Sequence, residues 1–237
     1  MPTVSELGEQ IAAVRRRIQV AAAAAGRDPA DVRLLLATKT LPDDVVRAAL
    51  AAGADLLGEN RVQELVSHAA AVAQGGPEVH LIGHLQSNKV TALLHPDRPF
   101  VTCVESVDTL TLAERLDRRC ADLGRDLDVM VQVNVSGEAS KAGVVPEDAP
   151  GLAAGVAALP RLRLVGFMTI GLNSSDAVAV RSGYARLREV RDAVVRDLPD
   201  ARELSMGMSG DLELAVAEGA TIVRVGTAVF GARPPAP

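Results

Sequence analysis

Short apolar runs alternate with longer amphipathic segments along the whole chain. The short runs have the length and β-branched content of strands, and the longer segments space their apolar residues as helices do. In the segment 180–198, for example, Tyr184, Leu187, Val190 and Val194 fall on one helical face. Eight strands are predicted in this way: VRLLLAT, ADLLG, VHLIG, FVTCVES, DVMVQVN, LRLVGFMTI, RELSMGM and TIVRVGTAVFG.

The alternation of strands and helices predicts a parallel sheet. Eight strand–helix units in 237 residues favour an α/β fold with a single (β/α)8 barrel, and an open, doubly wound sheet is the alternative. An extra helix precedes the first strand, where Thr3 and Glu6 have the spacing of a capping box. We expect residues 1–232 to form one domain and residues 233–237 to form a flexible C-terminal tail.

Composition narrows the class of protein further. Apolar residues make up 48% of the chain, enough for a sizeable core, and the net charge of −5 argues against nucleic acid as a partner. Cys103 and Cys120 lack C-x-x-C spacing and are predicted to be free thiols in a reducing compartment. The N-terminal segment lacks the apolar core of a signal peptide, and no run is long enough to span a bilayer. We therefore expect a cytoplasmic protein that has no membrane partner.

A barrel predicts a functional site at the end where its strands finish. Lys39 follows the first apolar run and would lie there. Partial desolvation at this place favours the neutral amine, which forms Schiff bases with aldehydes. The alternative is an ion pair between Lys39 and Glu59 or Asp43.

The last two strands supply a predicted phosphate site. The segment MGMSGDLELAVAEG has the pattern of a strand, a tight glycine turn and a helix, with Ser209 as the predicted N-cap. Gly226 and Thr227 follow the eighth strand, and the loops after strands seven and eight commonly bind phosphate in barrels. The alternative is that Ser209 only caps its helix. Asp211 would oppose a phosphate unless its side chain pointed away.

Arg224 completes the set of candidate residues. If Val223 and Val225 face the helices, strand alternation directs Arg224 into the barrel, where a buried charge needs a partner. A lysine, a phosphate site and an inward arginine on one barrel face fit a phosphorylated aldehyde bound as an imine, and pyridoxal 5′-phosphate (PLP) is the obvious candidate. His80 and His84 lack a clear third ligand, so no metal site is predicted.

The motifs ATKT, GENRVQE, HLIGHLQSNK, GFMTI, SMGMSGD and VRVGTAVFG resemble, in this order, those of the YggS/PROSC family of PLP-binding homeostasis proteins. The resemblance covers nearly the whole chain. It implies the barrel of the alanine racemase N-terminal domain (fold type III) without the second domain. The cofactor-binding positions that it implies are Lys39 as the covalent imine, Arg224 facing the pyridine nitrogen, Ser209, Gly226 and Thr227 at the phosphate, and Asn60 and Met168 along the pocket.

Three further positions bear on the resemblance. We expect Lys141 to be solvated. It resembles a family lysine that is suggested to take part in cofactor exchange. Leu41 stands where the family often has a second lysine, so no role that depends on that lysine is expected here. His84 stands where many members have proline.

The chemistry of the site limits the expected activity. Arginine only donates hydrogen bonds, so Arg224 would leave the ring nitrogen unprotonated and the cofactor a weaker electron sink. Racemisation also needs a second acid/base, which alanine racemases take as a tyrosine from their second domain. The only tyrosine here, Tyr184, lies on the apolar face of a predicted outer helix. We therefore expect no catalytic residue.

The predicted protein is a monomeric PLP carrier that limits free aldehyde and delivers the cofactor to PLP-dependent apo-enzymes. One alternative is a weakly active PLP-dependent racemase or lyase with Lys141 or His84 as the second acid/base. The others are a Schiff-base aldolase that acts on a phosphorylated sugar and a barrel that only binds proteins.

Overall fold

Eight parallel strands close into a barrel in the computed structural model, which describes residues 2–98, 100–138 and 141–231. The strands pair in sequence order, and the first closes on the eighth. This confirms the predicted (β/α)8 barrel and excludes the open sheet. The strands are β1 (Arg33–Ala37), β2 (Leu56–Glu59), β3 (Glu78–Leu81), β4 (Val101–Val107), β5 (Leu127–Gln132), β6 (Leu162–Met168), β7 (Glu203–Ser205) and β8 (Ile222–Val225).

Helices cover the outside of the barrel. The predicted capping box at the start of the first helix is confirmed, because the Thr3 hydroxyl accepts from the Glu6 N–H at 3.2 Å and Glu6 Oε2 accepts from the Thr3 N–H at 2.7 Å. The helices are α1 (Val4–Ala24), α2 (Asp43–Ala51), α3 (Val62–Ser67), α4 (Ala69–Gly75), α5 (Val90–Leu93), α6 (Leu110–Leu123), α7 (Ala149–Ala157), α8 (Ala177–Val194), α9 (Leu212–Ala217) and α10 (Thr227–Phe230).

The predicted eighth strand is too long. The strand ends at Val225, and Thr227–Phe230 form the short helix α10. The run stays apolar across this boundary, so its pattern does not distinguish a strand from a helical turn. The N–H groups of a first helical turn have no partner within their own helix, so the change from strand to helix directs N–H groups towards the neighbouring loop.

Strand alternation separates two apolar cores. Val223 and Val225 pack with the helices in the outer core, and Arg224, 5% exposed, lies between them on the inward side of β8. The predicted inward orientation of Arg224 is therefore confirmed. The inner core fills the barrel with Leu35, Leu56, Cys103, Met130, Met168 and Ile222.

Other expectations have mixed outcomes. Cys103 and Cys120 are free, as predicted, and both are buried. Among the described helices, none is long and apolar enough to cross a membrane. The tail predicted at residues 233–237 lies outside the described residues.

Candidate functional site

Lys39 lies in a tight turn that follows β1. The turn runs from Thr38 to Leu41 and is closed by a hydrogen bond from the Leu41 N–H to the Thr38 carbonyl at 3.2 Å. Thr40 has a φ of 62°, a left-handed conformation that costs a non-glycine residue about 1 kcal/mol or more. Lys39 is half-buried. The chain therefore carries this amine on a strained turn at the end of the barrel where the strands finish, called the mouth below.

The two acids considered as partners of Lys39 bind other groups. Glu59 Oε1 accepts from the Thr38 hydroxyl at 2.6 Å and lies 2.7 Å from His68 Nδ1. Asp43 Oδ2 accepts from the guanidinium of Arg47 at 2.8 Å. Glu59 is 1% exposed and lies on the helix side of the barrel wall, because the inward positions of β2 are those of Leu56 and Gly58.

Arg224 is held inside the barrel by two hydrogen bonds. Its Nη1 donates to the Ser205 hydroxyl at 2.8 Å, and its Nη2 donates to the Thr169 carbonyl at 2.6 Å. Ser205 in turn donates to Glu105 Oε2 at 2.5 Å, and Glu105 Oε1 lies 2.7 Å from His80 Nδ1. A buried polar chain therefore links the arginine of β8 to residues of β7, β4 and β3.

The opposite charges of its members explain why this row of hydrogen-bonded side chains can be buried. Burial favours the neutral carboxyl of Glu105, but the hydrogen bond from His80 and the charges of His80 and Arg224 outweigh it and lower the pKa of Glu105. Burial likewise opposes the charged form of His80, but its hydrogen bonds to Glu105 and Glu78 and the charge of Glu105 together outweigh burial and raise the pKa of His80. Arg224 thus has a buried counter-charge one hydroxyl away, and its orientation is fixed.

Ser209 contacts the residues that follow β8. Its hydroxyl accepts a hydrogen bond from the Ala228 N–H at 3.4 Å, so Ser209 lies beside Gly226 and Thr227 as the predicted phosphate site requires. The prediction that Ser209 caps the following helix is wrong, because α9 begins at Leu212 and Asp211 occupies its N-cap position. Serine is a favoured cap, but this helix starts later than the pattern indicates.

The carboxylate of Asp211 is used within its own loop and beyond it. Oδ1 accepts from the Met208 N–H at 2.6 Å, and Oδ2 accepts from the Tyr184 hydroxyl of α8 at 2.7 Å. Both oxygens of Asp211 are therefore hydrogen-bonded to other protein groups, although this acid lies beside the predicted phosphate site. Tyr184 is fully buried, and this burial, together with the charge of Asp211, raises the pKa of its phenol.

The extra helix α1 supports the same loop from outside. Arg17 Nη2 donates to the Ser209 carbonyl at 3.0 Å, and Arg17 Nε donates to Glu213 Oε1 at 2.7 Å. On the barrel side, a Cβ added at Gly226 would stand 3.4 Å from the Ala37 carbonyl oxygen, so β8 ends directly beside the end of β1. The loop with Ser209, the start of α10 and the turn with Lys39 are therefore neighbours at the mouth.

The two remaining predicted pocket residues lie in different environments. Asn60 is half-buried, lines an open pocket of about 530 Å³ with His84 and Lys89, and its N–H donates to Glu64 Oε2 at 3.2 Å. Glu64 thus accepts from the N–H groups of both Asn60 and Arg61. Met168 is fully buried in the inner core, paired across the sheet with Ser205. The contact of either residue with a cofactor stays a prediction.

Lys141 is not solvated as expected. Its amine donates to Glu138 Oε1 at 2.6 Å and to the Gly171 carbonyl at 3.1 Å, and its side chain is 19% exposed. It therefore joins the loop after β5 to the loop after β6. His84, by contrast, is exposed and lies 3.6 Å from Asp108. The described residues include no group of three or more histidine, cysteine or acidic side chains that is placed to hold a metal ion.

Glu105, Ser205 and His68 are buried polar residues that the sequence analysis missed. The sequence carries a signal for burial of the first two. Glu105 shares the inward alternation of Cys103 in β4, and Ser205 occupies a buried strand end. His68 had none, since it lies between two short helical segments with no motif around it.

Comparison with known proteins identifies the family. The profile described as "Alanine racemase, N-terminal domain" matches residues 10–234. The pyridoxal phosphate homeostasis protein of Pseudomonas aeruginosa is 49% identical over 232 residues, which cover 97% of each chain. The Escherichia coli K12 protein of the same name is 41% identical over 235 residues, or 97% of this chain and 98% of that one. This chain therefore belongs to the pyridoxal phosphate homeostasis protein family.

Solved structures agree with this assignment. PipY of Synechococcus elongatus, determined with PLP bound, superposes with a TM-score of 0.81 at 34% identity, covering 95% of this chain and all of that one. Alanine racemase of Corynebacterium glutamicum shares the fold, with a TM-score of 0.69 at 15% identity, over 98% of this chain and 62% of that one.

Proposed function

We propose that this chain binds PLP at the mouth of its barrel, holds it as an imine on Lys39, and takes part in PLP homeostasis. The observation that carries the proposal is the joining of three elements at one barrel end. These are the turn with Lys39 after β1, the inward guanidinium of Arg224 in β8, and the contact between Ser209 and Ala228. PLP would supply an aldehyde for the amine and, when bound, an electron sink.

The residues at the mouth fit the three polar parts of this cofactor. Lys39 would hold the aldehyde carbon, and Arg224, fixed by Ser205 and the Thr169 carbonyl, would donate to the ring nitrogen. Ser209, Gly226 and Thr227 would hold the phosphate through a hydroxyl and backbone N–H groups. The commitment of Asp211 to Tyr184 and to the Met208 N–H supports this, because that carboxylate is already hydrogen-bonded elsewhere.

We further propose that binding is not accompanied by substantial catalysis. A racemase or lyase needs a proton-transfer group besides the lysine. Tyr184 is buried and bonded to Asp211, and the amine of Lys141 is bonded to Glu138 and to the Gly171 carbonyl. His84 is the remaining candidate, at the rim of the pocket with Asn60 and Lys89.

A carrier of this kind needs acceptors for its cofactor. We propose that the protein acts in the cytoplasm as a monomer and passes PLP to PLP-dependent apo-enzymes. The partial exposure of Lys39 supports this role, because an amine from outside could reach an imine on this residue.

The chain offers a simple test of the binding proposal, because its only lysines are Lys39, Lys89 and Lys141. Mixing the protein with PLP should produce the visible absorbance of a protein-bound imine. We expect Lys39→Ala to abolish this band, and Lys89→Ala and Lys141→Ala, the matched controls, to retain it. A band that survives in Lys39→Ala would contradict the proposal.

A second experiment tests the absence of catalysis. The loaded protein is incubated with a panel of amino acids in D2O, and incorporation of deuterium at the α-carbon is followed by mass spectrometry. We expect exchange no faster than with free PLP. Exchange at enzyme-like rates that His84→Ala removes would establish the racemase or lyase alternative.

A further inference from the structure

The turn with Lys39 is held at both of its ends by one buried pair of side chains. At the first end, the Thr38 hydroxyl donates to Glu59 Oε1 at 2.6 Å. At the last end, the Leu41 carbonyl oxygen lies 2.8 Å from His68 Nε2. Glu59 and His68 are themselves joined through Oε1 and Nδ1 at 2.7 Å. The pair therefore connects residue 38 to residue 41 behind the turn.

The pair lies where hydrogen bonds are strong and hard to replace. The side chains of Glu59 and His68 are 1% and 2% exposed, on the helix side of β2. The second oxygen of the carboxylate, Glu59 Oε2, is buried and has no hydrogen-bond partner among the described residues. Water therefore offers no substitute for the bonds that the pair makes, and loss of either partner leaves a buried polar group unsatisfied.

The geometry also fixes the number of protons. Both ring nitrogens of His68 face acceptors, a carboxylate oxygen and a backbone carbonyl. An imidazole donates from both nitrogens only when it carries both protons. The imidazolium form thus satisfies both contacts and balances the charge of Glu59. Removal of one proton would leave a bare ring nitrogen facing either the Glu59 oxygen or the Leu41 carbonyl oxygen, and two acceptors cannot form a hydrogen bond.

We propose that Glu59 and His68 form a protonated clamp that holds the turn in the strained shape that places Lys39 at the mouth. The strain lies at Thr40, whose φ of 62° has to be maintained by the surroundings. The clamp restrains the residues on either side of this strain, Thr38 and Leu41. His68 is therefore a positioning residue that acts on the lysine through the backbone, and this inference rests on the proposed function in taking Lys39 as the attachment point.

The clamp makes the turn sensitive to pH. The hydrogen bond to Glu59 raises the pKa of His68 against the effect of burial, and the Leu41 carbonyl and the charge of Asp43 add to the rise. The charged groups that act on His68 thus include Glu59 of β2, which is hydrogen-bonded to the ring, and Asp43 of α2, which is itself paired with Arg47. Because the folded-state pKa is raised, the clamp is intact at low pH and is lost as the pH rises through that value. Lysine attachment should weaken over the same range.

The first test uses the whole protein without cofactor. The four histidine rings and the backbone amides are followed by NMR from pH 5 to 9, with His68→Lys to assign the ring of His68. We expect that ring to titrate above 6.5, the ordinary value for histidine, and the amides of Thr40 and Leu41 to shift with the same midpoint. Amides that ignore the His68 titration would overturn the proposal.

The second test measures release of PLP from loaded protein to a trapping amine. We expect His68→Leu to release PLP about tenfold faster or more, as loss of charge-assisted hydrogen bonds implies. His68→Lys, which places an ammonium with several donors beside the carboxylate of Glu59, should stay near the wild-type rate and lose the pH step. His95→Leu, at an exposed histidine, is the matched control.

Two results in the release assay would overturn the clamp: wild-type release in His68→Leu, or release from His68→Lys as fast as from His68→Leu. A wild-type protein that takes no PLP on Lys39 would instead contradict the proposed function. In that case the NMR titration still decides on the clamp, because it needs no cofactor.

Discussion

The guanidinium of Arg224 donates a hydrogen bond at 2.8 Å to the hydroxyl of Ser205, and that hydroxyl donates a hydrogen bond to the buried carboxylate of Glu105. The order matters, because a hydroxyl that accepts from a cation and donates to an anion is polarised in one direction. Arg224 is thereby oriented before any ligand binds. The residue that supplies the charge, Glu105, lies on β4, 100 positions before Ser205 in the chain.

Removal of that charge should be costly. We expect Glu105→Gln to lower the free energy of unfolding by about 3–5 kcal/mol, because it leaves Arg224 buried without its counter-charge. Ser205→Ala, which removes only the bridging hydroxyl, should cost about 1–3 kcal/mol. Urea denaturation measures both, with Glu114→Gln on the exposed side of α6 as the control. A cost in Glu105→Gln no larger than in this control would mean that the charge does not stabilise the barrel.

A fall in pH should remove the contribution of the Glu105 carboxylate to the free energy of unfolding. The pKa of Glu105 is lowered in the folded protein, so its contribution is full above the unfolded-state value of about 4.5 and is lost as the pH falls through the folded-state value. Stability measured by urea denaturation from pH 6 to pH 3 should therefore fall more steeply in the wild type than in Glu105→Gln. Equal slopes in the two proteins would contradict the lowered pKa.

Ser209→Ala should separate recognition of the phosphate from attachment to the lysine. We expect this variant to bind PLP about tenfold more weakly, the typical effect of one lost hydrogen bond to a charged group. Its affinity for pyridoxal, which lacks the phosphate, should be unchanged. Absorbance titration with both aldehydes measures this, with Ser182→Ala on the exposed face of α8 as the control. An equal loss for the two aldehydes would remove Ser209 from the phosphate site.

Arg17 should govern the mobility of the loop that carries Ser209. Arg17→Ala removes the bond to the Ser209 carbonyl and the ion pair with Glu213. We expect amide hydrogen exchange at residues 207–211 to accelerate several-fold, because local opening costs less. Arg16→Ala, one residue away and exposed, should leave exchange unchanged. Unaltered exchange in Arg17→Ala would show that α1 does not restrain the loop.

Much of the barrel could be predicted from the sequence, because the pattern that indicates each helix or strand lies within that element. Strand alternation directed Arg224 inward, and the capping spacing of Thr3 and Glu6 marked the start of α1. The errors in the secondary structure lie at the ends of elements. A favoured cap, Ser209, suggested an early start for α9, and an apolar run concealed the change from β8 to α10 at Gly226.

The polar contacts between elements could not be predicted in the same way. Nothing local indicates that Glu105 meets Ser205, because their strands become neighbours across the interior only once the barrel closes. His68 similarly reaches back 27 positions to the Leu41 carbonyl, and Lys141 reaches 30 positions forward to Gly171. Such pairs depend on the register and closure of the whole sheet.

Covalent attachment to Lys39 is the claim on which the rest depends, and reduction tests it most directly. The protein is mixed with PLP, treated with borohydride, digested and mapped by mass spectrometry. We expect one stoichiometric phosphopyridoxyl group, on Lys39, and none on Lys89 or Lys141. A label on either of those two lysines in place of Lys39, or no label at all, would contradict this claim.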